Sequence, residues 1–154
     1  MTIRILCAGR PLAAHEQAWV EDYERRARKY ARVEIVRIKE KSRPSAPQTA
    51  SATWADIEAR IPPQAFRVLL DSSGKDLSTE DLGRILTRAE RSSKSNLVFI
   101  VGGSYGLPEE ARKSANVLWS LSRLMLPHRI ALLLVVEQIY RVLSVRAGSP
   151  YHHG

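Results

Sequence analysis

The segment NLVFIVGG (96–103) constrains the fold more than any other part of the sequence. Every residue from Leu97 to Val101 is apolar, and two glycines end the run. A short apolar run of this kind is typical of a strand that is buried on both faces, as in a parallel sheet. Because the flanking segments alternate between strand and helix patterns, the sequence predicts an α/β domain with a mostly parallel sheet flanked by helices.

The other elements follow from periodicity and from residues that begin or end helices. Strands are predicted at residues 2–8, 33–39 and 66–71, with a short strand or extended segment at 117–122. Helices are predicted at 14–31, 51–61, 78–92 and 127–146, and a further helix follows Pro108. Residues 40–51 are predicted to form a mobile loop and residues 72–75 a turn. An apolar stripe in the first helix is expected to face the core: Trp19, Tyr23, Ala27 and Tyr30.

The charge of the chain favours a polyanionic partner. The sequence has 24 Lys and Arg residues against 16 Asp and Glu residues, which gives a formal charge of +8. Much of this excess lies within residues 23–47, where nine cations are accompanied by only three glutamates. We favour RNA binding for this segment, and the alternative is a solvated helix face beside a flexible loop.

The chain is expected to be a single-domain, cytoplasmic protein with no membrane-spanning segment. Its 154 residues suit one domain, and no signal-peptide pattern opens the sequence. The longest apolar stretch, residues 130–136, is too short to cross a bilayer. Cys7 is the only cysteine, so no intramolecular disulfide is possible, and its apolar neighbours indicate a small buried side chain.

Common active-site motifs give little support for a nucleotide, metal or hydrolase site. Gly102, Gly103 and Gly106 do not form a dinucleotide fingerprint, no P-loop motif is present, and a tight turn explains them as well as binding does. The four histidines lack the spacing of common metal ligands, so no metal is expected. A nucleophile elbow is also absent.

Four ordered motifs carry a more specific indication: IVGGSYGL (100–107), WSLSRLMLPH (119–128), EQIYR (137–141) and PYH (150–152). Together with IRILCAGR (3–10) and VLLDSSGK (68–75), they resemble the ribosomal RNA large subunit methyltransferase H family. Members of that family are SPOUT-class enzymes that transfer a methyl group from S-adenosylmethionine to N3 of a pseudouridine in 23S rRNA. The resemblance implies one SPOUT domain over residues 1–154, a trefoil knot at roughly 66–154, and a homodimer.

The resemblance also assigns site residues. The implied cofactor-binding residues are Leu70, Gly103, Ser122, Arg123, Leu124, Met125, Leu126 and Pro127. The implied catalytic residues are His152 as the base or base-orienting group, Tyr151 as a partner of the uracil ring, and Arg141 as a ligand for a phosphate or a developing oxyanion. The alternatives are a surface charge for Arg141 and a frayed tail for the other two. Family members commonly have Lys or Arg after PYH, whereas this chain has His153.

Two other functions share the charge and the fold. The first is a basic ribosome-associated protein without catalysis, which would not need the WSLSRLMLPH and PYH motifs. The second is a SPOUT enzyme that modifies tRNA or another base. The short chain argues against this one, because it leaves no room for an appended RNA-binding domain. A chain of this length is expected to rely on the assembled ribosome for specificity.

Overall fold

Five strands and five helices alternate along residues 1–150, which are the residues that the computed structural model describes. The strands are β1 (Thr2–Gly9), β2 (Arg32–Lys39), β3 (Phe66–Asp76), β4 (Asn96–Val101) and β5 (Val117–Ser120). The helices are α1 (Ala14–Ala27), α2 (Ala46–Glu58), α3 (Thr79–Arg91), α4 (Glu109–Lys113) and α5 (His128–Arg146). None of these helices is both long and apolar enough to span a membrane.

All five strands form one parallel sheet in the order β2-β1-β4-β3-β5. The amino-terminal ends of the strands are called here the amino edge of the sheet, and there Thr2 pairs with both Arg32 and Asn96. The carboxyl-terminal ends are called the carboxyl edge, and there Gly9 pairs with Lys39. The predicted α/β architecture with a parallel sheet is therefore confirmed. The trefoil knot stays a prediction.

The helices cover both faces of the sheet because successive strand residues point to opposite sides. Ile5 and Phe99 belong to a core that includes residues of α1, α3 and α5. Leu6 and Ile100, their neighbours in sequence, belong to a second core with residues of α2 and α4. This arrangement leaves the two edges of the sheet, where the strands begin and end, for function.

The predicted loop at 40–51 is wrong in its second half, because α2 begins at Ala46. Ser45 caps this helix: its hydroxyl accepts a hydrogen bond from Gln48 N at 3.3 Å, and Gln48 Oε1 accepts one from Ser45 N at 3.2 Å. This reciprocal cap stabilises a helix start inside a Pro- and Ser-rich stretch.

The predicted turn at 72–75 is also wrong, since β3 continues through these residues to Asp76. Its pairing with β5 shifts register, so that Leu70 and Lys75 both pair with Trp119. Gly74 lies directly against the partner backbone, where a Cβ would be 2.6 Å from Leu118 C. The sheet contact thus overrides the turn-forming composition of this segment.

The first helix ends four residues earlier than predicted, at Ala27, and it buries a different stripe. Val20 and Ala27 are its buried residues, whereas the Trp19 side chain is 65% exposed and Tyr30 is also exposed. Only Ala27 of the predicted stripe is fully buried, and Tyr23 packs at its margin. The identity of the side chains predicted a helix here but did not fix its rotation against the sheet.

Candidate active site

Most of the predicted cofactor residues meet at the carboxyl edge of the sheet. Leu70 lies in β3 beside Trp119 of β5, and Gly103 follows β4, the strand next to β3. The segment 121–127, called here the cofactor loop, leaves β5 at the same edge and leads into α5. Because the carboxyl ends of parallel strands form the usual ligand site of such sheets, this convergence defines the candidate site.

The segment after β4 forms a tight turn over residues 103–106, called here the glycine turn. Gly106 N donates to Gly103 O at 3.1 Å and closes it. Glu40, the residue after β2, reaches beneath the turn: its carboxylate accepts hydrogen bonds of 3.0 Å from both the amide and the hydroxyl of Ser104. Arg112 holds the other end by donating to the carbonyl of Leu107. The turn is therefore fixed from two sides.

The absence of a side chain at Gly103 leaves room for the same contact. A Cβ atom there would lie 2.8 Å from Oε1 of Glu40. Sequence reasoning assigned Gly103 to the site but missed Glu40, because the two are brought together only by the strand order. A lone glutamate in a charged loop carries no local signal of such a role.

The cofactor loop presents apolar side chains to solvent. Leu124 is 75% exposed and Met125 is fully exposed. Ser122 shapes the loop: its hydroxyl accepts from Leu124 N at 2.9 Å, and its carbonyl accepts from the Ser120 hydroxyl at 3.2 Å. Within residues 1–150, the amides of Arg123, Met125 and Leu126 donate no hydrogen bond to the protein.

The combination of backbone amide donors and exposed apolar side chains in the cofactor loop fits S-adenosylmethionine. The adenine edge needs backbone hydrogen bonds, its faces need apolar contact, and the molecule carries no phosphate that would demand a helix N-terminus. The amides of the loop that donate no hydrogen bond within residues 1–150 lie beside the exposed side chains of Leu124 and Met125, so the loop offers both kinds of contact.

His128 ties the end of the cofactor loop to β1. The residue follows Pro127, which is the N-cap of α5, and its ring packs on Gly9. Gly9 has φ +138, and a Cβ there would overlap the His128 ring. Only glycine fits this position without strain, so the loop and the first strand are held in fixed register.

Arg141 does not join this cluster within one chain. It lies on α5 about 20 Å along the helix axis from His128. Its guanidinium is paired with Glu137 at 2.8 Å and lines a groove of about 1150 Å³ between α3 and α5. The remaining predicted catalytic residues, Tyr151 and His152, lie outside the described residues, as does His153.

The buried thiol next to the site is not a nucleophile. Cys7 is fully buried, as predicted, and burial raises its pKa to about 11 although Arg37 opposes the shift. Arg37 Nη1 lies 2.7 Å from Cys7 Sγ, and its Nη2 donates to Arg10 O at 2.7 Å. The thiol stays protonated near neutral pH, so its role is packing.

Comparison with known proteins agrees with this geometry. A family model described as "Predicted SPOUT methyltransferase" matches residues 1–152. A ribosomal RNA large subunit methyltransferase H from Thermus thermophilus is 39% identical over 152 residues, which cover 99% of this chain and 98% of that protein. The protein of the same name from Gloeobacter violaceus is 36% identical over 155 residues, with both chains fully covered.

Two solved structures share the fold. The tRNA (m1G37) methyltransferase from Aquifex aeolicus has a TM-score of 0.58 and 19% identity, over 98% of this chain and 74% of that one. A probable methyltransferase from Bordetella pertussis Tohama I has a TM-score of 0.54 and 16% identity, over 92% and 95%. The chain therefore belongs to the SPOUT methyltransferases, and within them to the ribosomal RNA large subunit methyltransferase H family. It is a methyltransferase, and the predicted family is confirmed.

Proposed function

We propose that this enzyme transfers the methyl group of S-adenosylmethionine to N3 of a pseudouridine in 23S rRNA, and that it does so on the assembled ribosome in the cytoplasm. The observation that carries the proposal is the full-length similarity to proteins named ribosomal RNA large subunit methyltransferase H. The candidate site supports it, because the predicted cofactor residues of three separate motifs converge at one edge of the sheet.

In the proposed complex the cofactor loop binds the adenosine. Backbone amides of Arg123, Met125 and Leu126 face the adenine edge, and the side chains of Leu124 and Met125 close over its faces. The glycine turn at Gly103 and residue Leu70 of β3 form the opposite wall. When bound, S-adenosylmethionine supplies a methyl group on a positively charged sulfur, which is a good leaving group.

The chain's remaining task is to align the target base and remove a proton. His152 is proposed to accept the N3 proton, and Tyr151 to hold the uracil ring by stacking or by a hydrogen bond. N3 then attacks the methyl carbon while the bond from that carbon to sulfur breaks. This direct transfer needs no metal and no covalent enzyme intermediate.

A second copy of the chain is proposed to complete the enzyme. Helix α5 exposes the large apolar residues Ile130, Leu134 and Val145 along its length, and burying such side chains would favour association. Arg141 lies in the groove next to this exposed face, far from its own cofactor loop. A catalytic role for Arg141 therefore fits a partner's site better than its own. The proposal also includes the predicted trefoil knot over roughly residues 66–154, which the family resemblance implies together with the homodimer.

The test is methyl transfer to defined acceptors. Purified protein is incubated with labelled S-adenosylmethionine and ribosomes from cells that lack the enzyme, and the label is mapped in the RNA. We expect label on one pseudouridine of the large-subunit RNA. Transfer of label to tRNA would favour the alternative of a SPOUT enzyme that modifies tRNA. If isothermal titration with S-adenosylmethionine shows no heat of binding, a binding protein without catalysis is favoured.

The catalytic assignment has its own test in His152→Ala. This variant should lose methyl transfer and keep the cofactor affinity of the wild type, because the proposed role concerns the base and not the cofactor. His153→Ala is the matched control and should change activity only mildly. Retained turnover in His152→Ala would refute the assignment.

A further inference from the structure

A basic cleft lies beside the glycine turn, at the carboxyl edge of the sheet. The strand order places β1 and β2 on one side of β4, and β3 and β5 on the other. The cleft has a volume of about 260 Å³ and sits at the carboxyl ends of β1, β2 and β4. Its side-chain lining includes Arg10, Lys39, Ser42, Thr49, Ser104 and Tyr105. The glycine turn thus has two neighbours, the cofactor loop and this cleft.

Two cations of the cleft are available to an external anion. Lys39 pairs in register with Gly9, so it lies beside the strand end that carries Arg10. Neither Arg10 nor Lys39 forms an ion pair with a carboxylate in the part of the chain that the structure describes. The carboxylate in the cleft, that of Glu40, is turned under the glycine turn and accepts both hydrogen bonds of Ser104.

The rest of the basic segment is arranged differently. Arg25, Arg28 and Arg32 lie near the amino edge of the sheet, and they pair with Asp22, Glu24 and Glu34 respectively. The two halves of residues 23–47, the segment for which the sequence favours RNA binding, therefore differ in the structure. Most cations of its amino-edge half are paired with carboxylates, whereas Lys39 at the carboxyl edge has no carboxylate partner within residues 1–150.

The walls of the cleft are fixed, which lowers the entropic cost of binding. Thr49 is buried, and its hydroxyl accepts from Arg43 N at 2.9 Å, which holds the segment containing Ser42 over the start of α2. On the other wall the glycine turn presents Tyr105, whose side chain is 59% exposed. An exposed aromatic ring on a rigid turn beside two cations is a common arrangement for a nucleic-acid strand.

We propose that this cleft binds the RNA strand next to the methylated nucleotide, with Arg10 and Lys39 holding a backbone phosphodiester and Tyr105 stacking on a flanking base. The inference rests on the proposed function, and it adds the surface that positions the substrate. Phosphate contacts fix the register of a strand without reading its sequence. The cleft would therefore place the target base at the glycine turn, across which the cofactor is expected to lie.

The test compares two double variants that remove the same charges. Arg10→Ala with Lys39→Ala empties the cleft of its cations, and Lys29→Ala with Arg60→Ala removes one Arg and one Lys outside the cleft. Binding is measured with a fluorescein-labelled single-stranded RNA oligonucleotide between about 50 and 200 mM salt. Methyl transfer is measured with large ribosomal subunits, and cofactor affinity by isothermal titration.

We expect the cleft variant to bind the oligonucleotide at least about tenfold more weakly for each cation removed. The slope of log affinity against log salt should fall by between about one and two. KM for ribosomal subunits should rise with cofactor affinity unchanged. The charge-conserving pair Arg10→Lys with Lys39→Arg should restore most of the binding, and Tyr105→Ala, but not Tyr105→Phe, should weaken it by about tenfold.

Equal behaviour of the cleft variant and the control variant would overturn the inference. If the wild type binds RNA but methylates no ribosomal RNA, the proposed function fails while the oligonucleotide comparison still decides the cleft. If the wild type methylates ribosomal RNA but binds no oligonucleotide at any salt concentration, the inference about the cleft falls while the proposed function stands.

Discussion

The contact between Gly103 and Glu40 leads to a prediction that depends on both residues. In Gly103→Ala the new Cβ would lie 2.8 Å from Oε1 and 2.9 Å from Cδ of Glu40. The carboxylate is the end of a flexible side chain, so it can rotate away at little steric cost. The real cost is the loss of its two 3.0 Å hydrogen bonds with Ser104.

The size of this loss follows from the exposure of the site. A hydrogen bond to a charged group contributes about 1.5–3 kcal/mol when it is shielded. Glu40 is only half-buried, and water replaces part of each bond, so we expect Gly103→Ala to lower the free energy of unfolding by about 1–2 kcal/mol.

A double-mutant cycle isolates the cause. In a Glu40→Ala background there is no carboxylate to displace, so Gly103→Ala should be neutral or slightly stabilising, since alanine restricts the unfolded chain. Equilibrium urea unfolding of the four proteins gives the coupling energy, which should be at least about 1 kcal/mol. If Gly103→Ala costs the same in both backgrounds, the proposed link between Glu40 and the glycine turn is wrong.

Three further predictions concern the neighbouring elements. The double variant Leu124→Ala with Met125→Ala should bind S-adenosylmethionine at least about tenfold more weakly. Its free energy of unfolding in urea should be unchanged, because both side chains are exposed in the free protein. A variant that loses stability as well as affinity would contradict this prediction. Gly9→Ala should lower the free energy of unfolding by about 2 kcal/mol or more through its positive φ and the overlap with His128, whereas Gly148→Ala, with positive φ in open space, should cost less. Burial raises the pKa of Cys7 from its usual value of 9.0 to about 11, so the folded state holds the thiol proton more tightly than the unfolded state does. The stabilisation of the folded state by the protonated thiol is therefore complete below pH 9 and is lost as the pH rises to 11. The difference in unfolding free energy between wild type and Cys7→Ala should therefore shrink by about 2 kcal/mol over that range, and a constant difference would refute the assignment.

The sequence predicted the parts of the fold that depend on local pattern. The apolar run at Leu97–Val101 and the alternation of strands with helices predicted the parallel sheet, because burial on both faces leaves a continuous signal. The last helix was placed to within a residue, since Pro127 marks its start. The family motifs predicted a set of cofactor residues, which stays a prediction, and the structure brings Leu70, Gly103 and the cofactor loop to one edge.

The errors arose where contacts distant in sequence decide the outcome. Residues 72–75 have the composition of a turn, but Gly74 fits against the backbone of β5 and the strand continues. Trp19 has the right spacing for the core, yet the packing of α1 on α5 selects Val20 instead. Glu40 could not be found at all from the sequence, because its partner Ser104 is 64 positions away.

The position of β1 inside the sheet, between β2 and β4, governs how the domain can fold. One side of this strand pairs with β2, which follows closely in the chain, but its other side waits for β4, where Thr2 meets Asn96. Until β4 is synthesised, a nascent chain holds an apolar strand with one open edge, which is the kind of surface that chaperones bind and that promotes aggregation. Sheet closure across so long a loop is slow in comparison with helix formation, so the rate-limiting step of refolding should be the insertion of β4 between β1 and β3.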